Sequence, residues 1–376
     1  MKVAIINCFE TYNIRVNQVE KYFLNKDHVV EKYFSDYSHR EKKTISQKKD
    51  ESITYIKVPK YKRNISFSRL YSHYTFSKKV SMLLKNREYD LIYILIPPNS
   101  LLKFILQTTN FRNICVDVID IWPEAMPFKK FKKLFFLNDW RRYRDNYINK
   151  ADFIISECNL FKNELLRHNG QLAISTVYFY GGEKRETDYI PYNKKKLSFC
   201  YIGSINNLLD INLLCDFFLL LNENWSVSLE IIGSGEKLDA LISKVEKTGV
   251  KVTSHGNIFS DEIKEKIIKN CNFGINLMKD STKVGLTMKS IEYMKFGLPL
   301  INNIPSDTWE FVEKFNVGLN IKNEKLNDNI SFFYSLTEDK MAQMRNNTYS
   351  TYIKLFSYES FNKKMDQIFY EFNGEN

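Results

Sequence analysis

The sequence predicts an α/β protein of two domains, each built on a parallel sheet. Three observations carry that prediction. At 376 residues the chain exceeds the usual single-domain size, so two domains of roughly 180 residues are the natural expectation. Its composition, 44% hydrophobic and 26% charged, suits a folded chain with a sizeable core. Through both halves, short apolar runs of strand length alternate with longer amphipathic stretches, as a sheet with crossover helices requires.

In the first half, strands are predicted over 3–7, 28–33, 91–96, 114–118, 153–156 and 175–178. Helices are predicted over 16–25, 76–86, 138–148 and 159–168. Asp90 and Asp152 each punctuate a turn into a buried run, Leu91-Ile92-Tyr93-Ile94 and Phe153-Ile154-Ile155-Ser156. Gly181-Gly182 and the polar residues 189–196 read as the interdomain linker. The alternation then restarts, with strands over 199–202, 228–232, 250–254, 273–277 and 299–302. Its helices are 211–221, 238–247, 261–269, 289–296 and 308–315. A last helical region, 338–372, places Tyr352, Phe356, Phe361 and Ile368 on one face.

The six cysteines, at 8, 115, 158, 200, 215 and 271, are dispersed and form no CxxC or Cys/His pair. They read as free thiols of a reduced, cytoplasmic protein. The opening run Met1-Lys2-Val3-Ala4-Ile5-Ile6-Asn7 is too short for a spanning helix and lacks a cleavage site, so no secretory signal is expected. The apolar stretches 91–106 and 211–221 are interrupted by Pro97-Pro98 and by Asn212 and Asp216, short of the ~20 residues a spanning helix needs.

The net charge of +11 lies in the first half, where residues 1–190 hold 33 Lys and Arg against 21 Asp and Glu. Eight basic residues and no acid occur from Lys60 to Arg87, and seven basic residues with one acid from Lys129 to Arg144. Phe128, Phe131, Leu134, Phe135 and Phe136 interleave with Lys129, Lys130, Lys132 and Lys133. Basic residues among aromatics suit an anionic membrane surface, although solvated helix faces would read the same. No nucleic-acid module accompanies them, and nucleic acid is not an expected partner.

Ligands of open α/β sheets bind beyond the carboxyl ends of the strands, so the residues after each strand carry the chemistry. Gly203-Ser204-Ile205-Asn206-Asn207 opens a helix whose N-terminus can face phosphate. Gly233-Ser234-Gly235 is a second glycine turn, without the full dinucleotide fingerprint. His255-Gly256-Asn257 is a third, where Gly256 lets a flat base approach the main chain, while His255 reads as structural. The strongest is the segment from Thr282 to Pro299: Gly285-Leu286-Thr287 leads into a helix on which Lys289 and Glu292 share a face. An ammonium beside helix N–H groups suits a diphosphate, and a carboxylate can accept two ribose hydroxyls. No aspartate pair has the spacing of a metal-binding DxD. In the first half, Asp120 and Glu124 follow a buried strand, and Arg15 follows the first; Arg15 can meet an acceptor phosphate or pair internally.

In this order the constellations resemble glycosyltransferase family 4, over most of the chain. Lys289-Ser290-Ile291-Glu292-Tyr293-Met294-Lys295-Phe296-Gly297-Leu298-Pro299 resembles its Lys-x-x-Glu-Tyr-Met-x-x-Gly-x-Pro helix. Asp117-Val118-Ile119-Asp120-Ile121-Trp122-Pro123-Glu124 is similar to a segment of bacterial members that build surface polysaccharides. So is Arg15-Val16 followed by His28-Val29-Val30. The resemblance implies a GT-B fold: two Rossmann-like domains facing across a cleft, with a C-terminal helix crossing back to the first. It divides the chain into an acceptor domain at 1–190, a donor domain at 191–355 and the crossing helix at 356–376.

It further implies transfer of a sugar, from a UDP-sugar above others, to a lipid-linked saccharide such as one on polyprenyl diphosphate. The work would be done at the inner face of the plasma membrane, with retention and without metal or other cofactor. By this resemblance Lys289 holds donor phosphate, and Glu292 and Asp120 are the catalytic carboxylates. The donor set is Gly203, Ser204, Asn206, Gly233, Gly256, Asn257, Gly285, Leu286, Thr287, Lys289, Ser290 and Glu292, with Arg15 and Glu124 on the acceptor. The sequence departs from the family at Val284, where its first motif Glu would stand, and at Asn206-Asn207, where a basic residue would. Those departures also fit a non-catalytic partner subunit; an epimerase or phosphorylase on the same scaffold would need residues not found here.

Overall fold

The computed structural model describes residues 1–45, 52–64, 66–108, 111–125, 135–183, 187–281 and 283–370, excluding the side chains of 135–137. The chain forms two compact units, one from Met1–Phe179 with the chain from Asn362 onward, the other Tyr180–Phe361.

The first unit is a seven-stranded parallel sheet. Its strands are β1 (Lys2–Asn7), β2 (Val29–Ser35), β3 (Ile53–Ile56), β4 (Leu91–Ile96), β5 (Ile114–Val118), β6 (Phe153–Ser156) and β7 (Ile174–Thr176), in the order β3-β2-β1-β4-β5-β6-β7. β4 and β5 are buried at every position, which is why both read as unbroken apolar runs. Strand order reverses between β1 and β4, the kind of point at which open α/β sheets bind their ligands. The chain returns to this unit in its last helix, Tyr358–Ile368. Asp366 accepts the hydroxyl of Tyr22 at 2.9 Å, and the Phe369 ring lies 5.5 Å from Phe23.

The second unit repeats the plan with β8 (Lys196–Ile202), β9 (Ser226–Ile232), β10 (Lys251–Ser254), β11 (Phe273–Asn276), β12 (Leu300–Asn302) and β13 (Gly318–Asn320). The order β10-β9-β8-β11-β12-β13 reverses between β8 and β11. Phe199, Phe217, Phe218, Phe273 and Phe333 stack into its core, each ring contributing ~2–3 kcal/mol by burial.

Two strands and two α-helices lie outside the predicted set, β3, β13, Leu101–Thr108 and Leu326–Tyr334, along with the short 3-10 turns Glu10–Tyr12 and Asn323–Lys325. The helix predicted from 76 starts nine residues earlier, as Phe67–Leu84, with Ser66 as its cap. The single terminal helical region is two helices, Glu338–Phe356 and Tyr358–Ile368, separated at Ser357, whose backbone is extended. Among the described residues no helix is long and apolar enough to cross a membrane.

Candidate functional site

At the reversal point of the second unit, three glycine loops knit together. Gly203 N–H donates to Ile232 C=O at 2.8 Å, Ile205 N–H to Ser234 C=O at 2.9 Å, and Gly233 N–H to Gly256 C=O at 2.7 Å. A Cβ on Gly233 would stand 2.0 Å from the Gly203 carbonyl oxygen. Its φ of 153° also lies where side chains are disfavoured. Only glycine lets these two loops close on each other.

The helix Met288–Lys295 is aimed at these loops by its buried face. Thr287 caps it, accepting from Ser290 N–H at 3.1 Å and donating to Asn276 at 2.9 Å. Tyr293 accepts from Ile202 N–H at 2.9 Å and donates to Ile275 C=O at 3.0 Å. Its ring rests on Gly274, where a Cβ would approach to 2.6 Å. The helix is thereby pinned to the ends of β8 and β11. Asn276, Asn302 and Asn320 continue the anchorage across β11, β12 and β13 as a ladder of 2.8 Å amide bonds.

This anchorage lays Lys289 over Gly203, within 3.5 Å of where a Cβ there would sit. Its Nζ donates to the Tyr201 hydroxyl at 3.1 Å and stands 4.5 Å from that ring's centroid. No carboxylate pairs with it among the described residues. Burial lowers its pKa from 10.5 to about 8. A desolvated ammonium with no counter-ion among the described residues, above glycine loops and near a helix N-terminus, has the chemistry that suits an anion. Three residues on, the Glu292 carboxylate accepts from Lys264.

Of the predicted donor residues, Gly203, Gly233, Gly256 and Lys289 come together directly. Gly285 is held by Thr308, whose N–H and hydroxyl reach its carbonyl at 2.9 and 2.8 Å, and Leu286 is buried. Ser204 is exposed, and its carbonyl accepts from Tyr201 at 2.8 Å. Asn206 closes a turn onto Leu208 N–H at 2.9 Å, and Asn257 is exposed. The Ser290 side chain is corrected: it is fully buried and bonded to Asn276 at 2.9 Å, so it braces the loop and meets no ligand. His255 pairs with Glu230 at 2.7 Å. Thr282 lies outside the described residues. Sequence reasoning missed Tyr201 and Lys264: Tyr201 was visible only as a strand aromatic, and Lys264 lies 28 residues from Glu292.

In the first unit, Asp120 follows β5 half-buried. Its oxygens accept from Ile121 N–H at 2.8 Å and from the Trp122 indole N–H at 2.6 Å. Burial outweighs those bonds and pushes its pKa up to about 6. Two acceptor assignments are corrected. Arg15 has no exposed surface: Asp117 accepts from its Nε at 2.6 Å and from its Nη2 at 3.3 Å. Both Glu124 oxygens accept from Arg144, at 2.8 and 3.2 Å. Arg144 is itself fully buried, which removes it from any membrane-facing set. The aromatic and lysine residues at 128–134 lie outside the described residues, as do the side chains of Phe135 and Phe136.

No protein-family model matches the chain, and no curated protein matches its sequence. Solved structures do. A lipopolysaccharide outer core galactosyltransferase, WaaB, is 18% identical, with 99% of both chains covered and a TM-score of 0.69. Sucrose-phosphate synthase from Thermosynechococcus elongatus is 12% identical, with 99% of both covered and a TM-score of 0.71. Anabaena HepE, solved with UDP and glucose, is 14% identical over 99% of this chain and 100% of that one, with a TM-score of 0.64. With both parallel sheets and their helices matched end to end, the chain has the GT-B glycosyltransferase fold.

Proposed function

We propose that this protein is a retaining glycosyltransferase acting in surface-polysaccharide synthesis. It takes a sugar from a nucleotide-diphosphate sugar, a UDP-sugar above others, and adds it to a hydroxyl of a lipid-linked saccharide. The observation that carries this reading is Lys289, a desolvated ammonium lying over Gly203 with no carboxylate paired to it among the described residues. A diphosphate supplies the missing negative charge, and Glu292, one helical turn on, suits the ribose hydroxyls. HepE binding UDP and glucose supports this choice of donor.

In the proposed step the acceptor oxygen bonds to the anomeric carbon as that carbon's bond to the β-phosphate oxygen breaks. The electron pair leaves on the diphosphate, where Lys289 stabilises it without a metal. The hydroxyl proton passes to the departing phosphate oxygen. Asp120, half-buried after β5, orients the acceptor hydroxyl. The test is a transfer assay with a nucleotide-sugar panel and a polyprenyl-diphosphate-linked acceptor. Transfer is expected to collapse in Lys289→Ala and Glu292→Ala, and the site assignment is wrong if both variants transfer normally.

The acceptor lipid places the enzyme at the cytoplasmic face of the membrane. Helix Phe67–Leu84 supports this, leaving Phe67 76%, Tyr71 62% and Met82 55% exposed. Lys60, Lys62, Arg63, Lys78, Lys79, Lys85 and Arg87 are exposed around it. Such a surface inserts rings at the headgroup level and draws ~1 kcal/mol per basic residue from anionic lipid.

A further inference from the structure

Of the eight basic residues from Lys60 to Arg87, Arg69 alone is turned inward, 4% exposed. Its guanidinium lies 4.1 Å over the Trp122 ring and 5.6 Å from that of Phe9. Phe9 follows β1 and Trp122 follows β5, so Arg69 sits at the carboxyl ends of the strands around the reversal point.

The other two fully buried arginines of this unit, Arg15 and Arg144, carry carboxylates at 2.6 and 2.8 Å. Arg69 has none. Its Nη1 donates to Asn64 C=O at 2.6 Å and its Nε to His73 Nε2 at 3.3 Å, while its Nη2 is buried without a partner. Because arginine can only donate, His73 Nε2 must be the bare nitrogen and the ring proton must sit on Nδ1. That Nδ1–H is buried and unpartnered as well. Burial, then the charge of Arg69, hold this imidazole well below its ordinary pKa, so the pair carries one positive charge. A second cation stands close by. Lys42 bonds the Asn64 side-chain oxygen and lies 4.9 Å from the Tyr61 ring, again without a carboxylate among the described residues. Asn64 thus tethers both cations through neutral oxygens. Orphaned buried donors on a cation without a paired carboxylate mark a place where a ligand completes the structure.

We propose that Arg69, with Lys42 beside it and His73 positioning it, forms an anion-binding subsite in the first unit, taking a phosphate or carboxylate carried by the acceptor. The assignment to the acceptor rests on the proposed transferase function; anion binding itself does not. The fork of Arg69 matches paired oxygens on either group. Trp122 and Phe9, themselves buried, wall the guanidinium with aromatic rings.

The test uses the full chain in a Lys289→Ala background, which removes the donor anion site. Methyl phosphate and glucuronate are titrated separately, to tell a phosphate source from a carboxylate source. One of them is expected to bind, and Arg69→Gln to weaken it at least tenfold. Ligand-free Arg69→Gln is expected to melt close to its parent, because Arg69 has no hydrogen-bonded carboxylate among the described residues to strand. Three results would each overturn the proposal: neither probe binding, affinity retained in Arg69→Gln, or a melting temperature lowered as far as in Arg15→Met. UDP binding to the otherwise native chain is measured alongside. Its absence would remove the transferase reading while leaving the probe titrations to decide the subsite.

Discussion

Raising the pH should discharge the donor site through one residue. Lys289 has a pKa of about 8 in the ligand-free protein, against 10.5 in water, because it is desolvated. That gap corresponds to about 3 kcal/mol of lost solvation. A bound diphosphate restores the charged form, so binding above pH 8 must first return a proton to the amine. The protonated fraction is roughly 0.9 at pH 7 and roughly 0.1 at pH 9, so UDP affinity should fall about tenfold across that interval. Arginine keeps its charge throughout, so Lys289→Arg should show no such loss. Any titration of the nucleotide is common to both proteins and cancels in the comparison. Calorimetric titration of UDP at pH 7, 8 and 9 reads the difference directly. A wild-type profile parallel to that of Lys289→Arg would refute the role given to this ammonium.

Further outcomes follow from the same geometry. Asp120, with a pKa of about 6, should impose an acidic limb on kcat/KM, activity falling as pH drops below 6 and the carboxylate takes up a proton; the limb should vanish from the residual activity of Asp120→Asn. Arg15→Met leaves Asp117 buried without its cation and should cost about 3–5 kcal/mol in denaturant unfolding, with no selective effect on acceptor KM. Gly233→Ala drives a methyl group into the Gly203 carbonyl and should cost about 3 kcal/mol or more, weakening UDP binding as the loops separate. Flotation with anionic vesicles should recover the wild type and lose the Phe67→Ser/Tyr71→Ser double variant, and neutral vesicles should recover little of either.

The alternation of buried runs was legible because a parallel sheet covered on both faces needs unbroken apolar strands. The runs at β4, β5 and β6 coincide with the observed elements. β3 escaped notice because its first three residues are only half-buried, and β13 because it is three residues long. The first half of helix Phe67–Leu84 was hidden by its Ser, Tyr and His content. Helix Leu101–Thr108 was hidden inside an apolar run that Pro97-Pro98 seemed merely to interrupt.

That Lys289 and Glu292 share a helix was legible from their spacing, and the helix Met288–Lys295 carries both. Arg15 and Glu124 were misread. Position after a strand says that a residue is near the crevice, but not whether a buried partner such as Asp117 or Arg144 has already claimed it. Arg69 and Lys264 act through contacts far along the chain, which no local pattern encodes.

The most direct measurement for the proposed donor site is the melting temperature of the full chain across a panel of uridine and guanosine diphosphate sugars, repeated on Lys289→Ala. At 100 times Kd a ligand adds ~2.7 kcal/mol of stability, a rise of roughly 5–10 °C. One class of nucleotide sugar should produce that rise in the wild type, and the variant should lose most of it. No shift with any of them, or an equal shift in Lys289→Ala, would contradict a nucleotide-sugar site built on this lysine.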